Sequence, residues 1–285
     1  MAAGRDVLLE GPPGTSKSTL LRAITTEWGV PLVFVEGNAD LTPGRLVGYH
    51  DPARVLREGY TADTFVPGPL VEAMRTSGFL YVEELNRAPD DTLNTLLTAM
   101  AERQLAVPRV GTVAAGAGFR VVASMNPFDN VGTTRLSTSI HDRLCRLAIG
   151  YQDAAAERGI VLHRAGATMA PRLVADAVAL TRATRDRDDV RQGSSVRGAI
   201  DLALVAAQLA AVRDITLPPD QVPNPDQPPP RDLPTDYTAV VLDALLLALS
   251  GRIHLDEALE YTPEGVLRRI WEDHFLLAPA AADPG

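Results

Sequence analysis

The stretch Val7-Leu8-Leu9-Glu10-Gly11-Pro12-Pro13-Gly14-Thr15-Ser16-Lys17-Ser18-Thr19-Leu20 restricts the possible folds more than any other part of the chain. A short apolar run, a Gly/Pro turn, Lys-Ser and an apolar-periodic segment read in turn as strand, loop and helix. Glycines let such a loop wrap its backbone N–H groups round an anion, and the helix start adds partial positive charge. The segment from Gly11, Pro12, Pro13, Gly14, Thr15 and Ser16 into Lys17, Ser18 and Thr19 therefore reads as a phosphate cradle. Lys17 is spaced to reach β- and γ-phosphates, and the Ser18 hydroxyl to ligate Mg²⁺. One position departs from the G-x-x-x-x-G-K-S/T pattern: Ser16 stands where a glycine is expected.

Downstream, apolar strand candidates at Val7–Glu10, Leu32–Glu36, Phe79–Glu83, Phe119–Ser124 and Leu144–Ile149 alternate with helical periodicity. The helical segments are Ser18–Trp28 and Asp90–Glu102, the second opened by Asp90 as its cap. That alternation predicts a mostly parallel sheet between helices, with ligands at the carboxyl ends of the strands. Past residue 152 the strand signal stops, and helices are expected near 153–165, 171–184, 195–212, 237–249 and 264–277. The sequence thus predicts an α/β domain over 1–152 and an all-helical domain over 153–285. Eight prolines between Pro218 and Pro234 mark a semi-rigid loop within the latter.

Other clusters fit the cradle chemically. Phe79-Leu80-Tyr81-Val82-Glu83-Glu84 is an apolar strand ending in two acids, the first suited to a Mg²⁺ shell and the second to polarising a water. Read alone, two acids capping a strand are commonplace. Asn126 follows the run Val121–Met125 and can bridge a phosphate and a water, although Asn-Pro is also an ordinary turn. Arg143, in His141-Asp142-Arg143, lies ahead of the last strand, where a guanidinium can enter a neighbour's site. Arg197 opens a helix capped by the serines Ser194-Ser195, from where it can reach a γ-phosphate; the plain alternative is one more exposed arginine. The glycine- and valine-rich stretch Ala106–Gly118 reads as a hairpin, and Arg45–Val66 as an excursion that either touches a substrate or merely decorates the surface.

Composition excludes several classes. With 46% hydrophobic and 22% charged residues the chain is neither disordered nor membrane-embedded. The apolar stretch Ala239–Leu249 contains Asp243 and is too short to span a bilayer, so it reads as a core helix. No charged-then-apolar leader opens the sequence, and a cytoplasmic location is expected. A formal charge of −9 weighs against a general nucleic-acid binder. The five histidines show no metal-ligand spacing, and the single cysteine, Cys145, is expected to be a buried inert thiol.

The order of these motifs resembles the AAA+ ATPases, in particular the MoxR branch. The resemblance rests on the phosphate loop with a small residue at Ser16, on Pro67-Gly68-Pro69-Leu70, and on Glu84-Leu85-Asn86-Arg87-Ala88-Pro89. It continues through Leu96-Leu97 and Ala99-Met100-Ala101-Glu102-Arg103 to Asn126-Pro127, Gly132-Thr133, Leu136 and Asp142-Arg143. It is dense from Val7 to Ile149 and resumes weakly at Ser195–Arg197. The resemblance implies a three-layer phosphate-loop domain with a helical lid, closing into a homo-oligomeric ring, most often a hexamer. It implies ATP and Mg²⁺, with Lys17 and Ser18 on phosphate and metal, Glu83 on the metal side and Glu84 as the catalytic acid. Asn126 would be the first sensor, Arg143 a finger acting in trans, and Arg197 the second sensor. It further implies a chaperone that remodels a client enzyme alongside a von Willebrand factor A-type partner. Two departures stand out. The family's usual acid at Glu83 is Asp, so the longer side chain is expected to shift the Mg²⁺ shell and slow turnover. The family also places a helical segment before the first strand to help enclose adenine, whereas six residues precede Val7 here. The expectation is a weakly enclosed adenine, with Met1 an internal methionine, unless a neighbour or the lid closes the pocket. Two further readings stay open: a nucleotide-gated scaffold with little turnover, and a nucleic-acid motor.

Overall fold

The apolar runs at Val7, Phe79 and Val121 need cover on both faces, and they become the inner strands of a parallel sheet. In the computed structural model, residues 1–127, 136–166, 168–218, 234–256 and 261–276 are described. The first unit, Met1–Gly150, opens with β1 (Val7–Glu10), α1 (Lys17–Trp28) and β2 (Leu32–Glu36). Next come α2 (Pro43–Val47), β3 (Gly48–His50), α3 (Pro52–Glu58), β4 (Phe65–Pro67), α4 (Pro69–Arg75) and β5 (Phe79–Glu83). It continues with α5 (Asp90–Glu102), β6 (Gln104–Val107), β7 (Gly111–Ala114), β8 (Arg120–Met125), α6 (Thr138–Arg143) and β9 (Cys145–Ala148). Five strands pair in parallel in the order β2-β5-β8-β1-β9.

Strand alternation divides the core into two layers. Leu8, Leu80, Val82, Val121 and Ala123 pack with Leu70 and Met74 of α4 and with Leu93 and Leu96 of α5. Their strand neighbours Val7, Leu9, Phe79, Tyr81 and Val122 pack on the other face with Leu21 of α1. The result is the three-layer arrangement that the alternating pattern predicts. Helix α1 stops at Gly29, whose left-handed φ of 63° turns its N–H back to Thr25 and Thr26.

The second unit begins at Tyr151 and holds α7 (Ala154–Ala165), α8 (Pro171–Ala183), β10 (Val190–Gln192) and α9 (Val196–Val212). It ends with α10 (Thr235–Leu249), β11 (His254–Leu255) and α11 (Pro263–Phe275). Its core is a separate cluster that includes Leu173, Leu202, Val241, Leu245 and Leu267. Helix α10 is the core helix expected at Ala239–Leu249, and its Asp243 pairs outward with Arg213 at 2.6 Å. No helix among the described residues is long and apolar enough to cross a membrane. The two short strands β10 and β11 form an antiparallel ribbon that the sequence pattern does not announce.

Several expectations need correction. Cys145 is exposed rather than buried, because β9 is the edge strand and all four of its residues face solvent. Asp90 is the first residue of α5 and not its cap; Pro89 holds the cap position, and no side chain bonds there. Asp90 and Asp91 instead place their carboxylates in the first turn, against the helix dipole. The stretch Arg45–Val66 is not a loop. Thr42 caps α2 and Asp51 caps α3, each followed by proline at the first helical position, and β3 pairs with β4. Those Thr-Pro and Asp-Pro pairs are the missed signal. The expected hairpin at Ala106–Gly118 is present as β6 and β7. Gly132, Thr133 and residues 219–233 of the proline-rich stretch lie outside the described residues.

Candidate functional site

Parallel strands put their carboxyl ends on one edge, and the register decides which residues meet there. Glu10 of β1 pairs with Met125 of β8, and Val82 of β5 pairs with Ala123. The phosphate loop, Glu83-Glu84 and Asn126 therefore leave three adjacent strands at the same edge. Gly11 N–H donates to the Met125 carbonyl at 3.2 Å, which ties the loop to the strand that ends in Asn126. A Cβ on Gly11 would stand 2.1 Å from the Ile149 carbonyl oxygen, so only glycine lets the loop pass this close.

Gly14, at φ 75°, and Ser16, at φ 62°, both take the left-handed conformation. This explains the glycine expected at 16: the backbone turn survives there without it, at a cost of roughly 1 kcal/mol. The Ser16 side chain makes no capping bond that would offset the strain. Ser16→Gly is expected to raise stability by about 0.5–1 kcal/mol, read as a higher denaturant midpoint at unchanged slope.

Inside the loop, the Lys17 ammonium donates to the carbonyls of Gly11 at 2.9 Å and Pro12 at 2.8 Å, and to Thr15 Oγ1 at 3.3 Å. The Thr15 hydroxyl donates to the Pro12 carbonyl at 3.0 Å, and its side chain is buried. The ammonium thus sits in the mouth of the cradle, and exchanging neutral carbonyls for phosphate oxygens gives it stronger, charge-assisted bonds. Pro13 and Thr19 are exposed at the loop tip and in the first turn of α1.

Tyr81 is the residue that sequence reasoning missed. Its hydroxyl lies 2.9 Å from Ser124 Oγ, donates to Glu83 Oε1 at 3.4 Å and also bonds the Ser18 side chain. Burial, with the Glu83 charge adding to it, pushes the phenol up to about 12, so it stays protonated and able to donate. One hydroxyl thereby gathers the two groups anticipated as metal ligands. Ser18 and Glu83 are hard oxygen donors, suited to an ion held mostly by phosphate and water. The available signal was a tyrosine two residues before Glu83 in an otherwise apolar strand, hence on the same face.

Glu84 leaves the strand in a left-handed conformation at φ 54°, and its carboxylate pairs with Arg87 Nε at 3.0 Å. Gly37 packs against this turn, where a Cβ would stand 2.3 Å from the Glu84 carbonyl oxygen. A left-handed backbone at a non-glycine residue carries strain, which the packing of this turn against Gly37 holds in place. Arg143 is not brought to this edge: it ends α6 just before β9, at the opposite end of the strands, and donates to the Ser139 carbonyl at 3.1 Å. Arg197 lies in the second unit, exposed in the first turn of α9, its N–H donated to the capping Ser195 Oγ at 3.4 Å.

Comparison with known proteins agrees with this architecture. Residues 6–144 match the model of the AAA domain (dynein-related subfamily). The chain is 33% identical over 153 residues to the uncharacterized protein YojN of Bacillus subtilis, an alignment covering 53% of this chain and 49% of YojN. It is 28% identical over 221 residues to the gas vesicle ATPase GvpN of Ancylobacter aquaticus, covering 72% of this chain and 61% of that one. The chain thus spans about half the length of the first relative and under two thirds of the second. Among solved structures, NtrX of Brucella abortus in complex with ADP aligns at a TM-score of 0.52 and 18% identity, over 96% of this chain and 57% of that one. A RuvB mutant of Thermotoga maritima aligns at a TM-score of 0.51 and 18% identity, over 85% and 62%. At these identities the structures speak for the fold alone. The phosphate loop, the paired acids and the parallel sheet all fall inside residues 6–144, the part of the chain that is similar to the AAA domain of the dynein-related subfamily.

Proposed function

We propose that this chain hydrolyses ATP with Mg²⁺ and couples the turnover to remodelling a partner protein or enzyme complex, as a MoxR-type AAA+ chaperone. The observation that carries the reading is the meeting of the Lys17 cradle, Glu83-Glu84 and Asn126 on one edge of three adjacent strands. In this reading Gly11–Thr19 bind and orient the phosphates, with Lys17 turning from the loop carbonyls to phosphate oxygens. Ser18 and Glu83 would hold Mg²⁺, whose charge draws electron density from the phosphoryl group. Glu84 accepts the proton of the attacking water, Asn126 positions that water, and Arg197 senses the γ-phosphate from the helical lid, residues 153–285. The name of GvpN, an ATPase, supports the same activity. A phosphate-release assay on the purified chain tests it: turnover dependent on Mg²⁺ and Lys17 is expected.

The finer assembly is also proposed: a homo-oligomeric ring, hexameric and cytoplasmic, acting with a von Willebrand factor A-type protein and a client enzyme. Its support is the MoxR resemblance together with the position of Arg143, which is far from its own chain's phosphate loop along the strands. A finger that cannot reach its own site requires a head-to-tail interface. Mixing Arg143→Ala with Lys17→Ala chains is therefore expected to recover part of the activity that each lacks. Equal inactivity at every ratio, with mixed rings verified, would place Arg143 outside the reaction in trans.

One observation favours the second reading, a nucleotide-gated scaffold with little turnover. The Tyr81 hydroxyl engages both Ser18 and Glu83, and a metal must draw them away from it. Tight ATP binding without phosphate release in the same assay would establish that reading instead.

A further inference from the structure

The start of α9 is held by the end of α8. The Ser194 N–H donates to Thr184 Oγ1 at 2.9 Å, and the Ser194 carbonyl accepts from Arg185 Nε at 2.6 Å. Two consecutive residues thus engage both backbone groups of the residue before the Ser195 cap. The cap itself is the looser tie, with Ser195 Oγ accepting the Arg197 N–H at 3.4 Å. Close backbone contact adds to the hold. A Cβ on Gly193 would stand 2.6 Å from the Thr184 carbonyl oxygen, and one on Gly198 would stand 2.1 Å from Ser194 Oγ.

Arg185 is able to hold Ser194 because its own guanidinium is fixed. Its Nη1 pairs with Glu157 Oε1 at 2.7 Å, and the group lies over the Tyr151 ring, 3.9 Å from the centroid. Glu157, in the first turn of α7, is fully buried. Its other oxygen goes to Arg182 Nη1 at 3.2 Å, and Arg182 also donates to the Gln152 carbonyl at 2.8 Å. The Arg185 side chain is 9% exposed. Thr184 is buried and equally fixed, its hydroxyl donating to the Thr181 carbonyl at 2.6 Å. The planar fork is what this arrangement uses. Nη1 serves Glu157, Nε serves Ser194 and the face serves Tyr151, three tasks that a lysine ammonium cannot combine. Arg197 stands in the first turn of the helix so held, with its side chain exposed. Helix ends fray, and a long side chain there has both backbone and rotamer freedom to lose before it makes a contact. Holding Ser194 removes the backbone share in advance.

We propose that Arg185 and Thr184 are positioning residues for Arg197: by holding Ser194 they set where α9 begins and from where the Arg197 guanidinium is presented. Neither touches nucleotide; both act through the backbone of Ser194. That Arg197 meets a γ-phosphate rests on the ATPase reading above, whereas the hold on its helix turn does not.

The test uses the full chain with Arg185→Lys, which keeps a positive charge beside Glu157, and with Thr184→Val, which keeps the shape and leaves the Glu157 pairs intact. Amide exchange at residues 194–198 is expected to rise about fivefold in each, the effect of one lost hydrogen bond, while α10 keeps its protection. Unchanged exchange there would overturn the proposal. The second readout is the preference for ATP over ADP, measured by displacement of a fluorescent nucleotide. Arg197→Ala should lower that preference about tenfold, as loss of a charge-assisted bond to phosphate does. Each positioning variant should lower it by a smaller factor, and neither should lower it further when added to Arg197→Ala. An additive loss would overturn positioning through Arg197. So would a positioning variant with a lower unfolding midpoint and an unchanged preference while Arg197→Ala loses it, the mark of a merely structural role. Faster exchange at 194–198, with the preference unchanged in all three variants, would support the hold on the turn and remove the γ-phosphate reading of Arg197 alone.

Discussion

Glu84→Gln is expected to lower ATP turnover by about 10²–10⁴-fold while leaving ATP affinity within a small factor of wild type. The geometry separates the two effects. Glu84 lies past the end of β5, outside the loop proposed to hold the phosphates, and its side chain makes a half-exposed pair with Arg87. Such a pair is worth under ~1 kcal/mol, so losing it should neither unfold the site nor disturb the cradle. Glutamine keeps the shape and the hydrogen bonding, and loses the ability to take a proton from water. Lys17→Ala is the control with the opposite signature, losing affinity first. Binding of a fluorescent ATP analogue and single-turnover phosphate release measure the two separately. A Glu84→Gln chain that turns over at the wild-type rate would remove Glu84 from the reaction and leave Glu83 as the acid to test next.

The largest stability effect should come from the second unit. Asp176→Asn is expected to cost about 3–5 kcal/mol, because it removes one partner from a buried charged cluster. Asp176 and Arg172 are each 1% exposed and pair at 2.8 Å. Tyr237 donates to the same carboxylate at 2.8 Å, and His274 Nε2 lies 2.9 Å from its other oxygen. The cluster ties α8 to α10 and α11. Burial by itself would raise the Asp176 carboxyl, but the bonds from His274 and Arg172 outweigh it and hold the group below its ordinary 3.8. A carboxyl lowered by folding contributes stability above its unfolded value, and that contribution is lost as pH falls below about 4. Wild type should therefore lose stability in that range, and Asp176→Asn should show a flatter dependence. Trp271 of α11, which donates to the Thr238 carbonyl at 2.9 Å, reports the unfolding by fluorescence once Trp28 is replaced by Phe. As a contrast, Asp243→Asn breaks an exposed pair with Arg213 and should cost less than ~1 kcal/mol.

Much of the fold was legible because its signals are local. Val7–Glu10, Leu32–Glu36 and Phe79–Glu83 were read as strands and are strands, since short apolar runs between turn residues leave few alternatives. The phosphate loop was legible for the same reason: its glycines and lysine act within one turn of chain. Ser16 shows where local reading stops. The sequence marks it as a departure, and only the backbone, at φ 62°, says that the departure is a strained turn and not a different loop.

Exposure was harder to read than structure. Cys145 sits in a segment that reads as a strand, and its exposure follows from β9 lying at the sheet edge, a property of strand order that the segment itself does not record. By itself, then, the sequence determined the inner strands of the sheet, the helices α1 and α5 and the strand–loop–helix at Val7–Leu20. Tertiary structure decided which distant groups meet: Tyr81 with Ser18, Glu83 and Ser124; Asp176 with Arg172, Tyr237 and His274. The physical reason is that a helix or strand is specified by neighbours within a few residues. The register between parallel strands is set by core packing between segments far apart in the chain, and no local pattern records it.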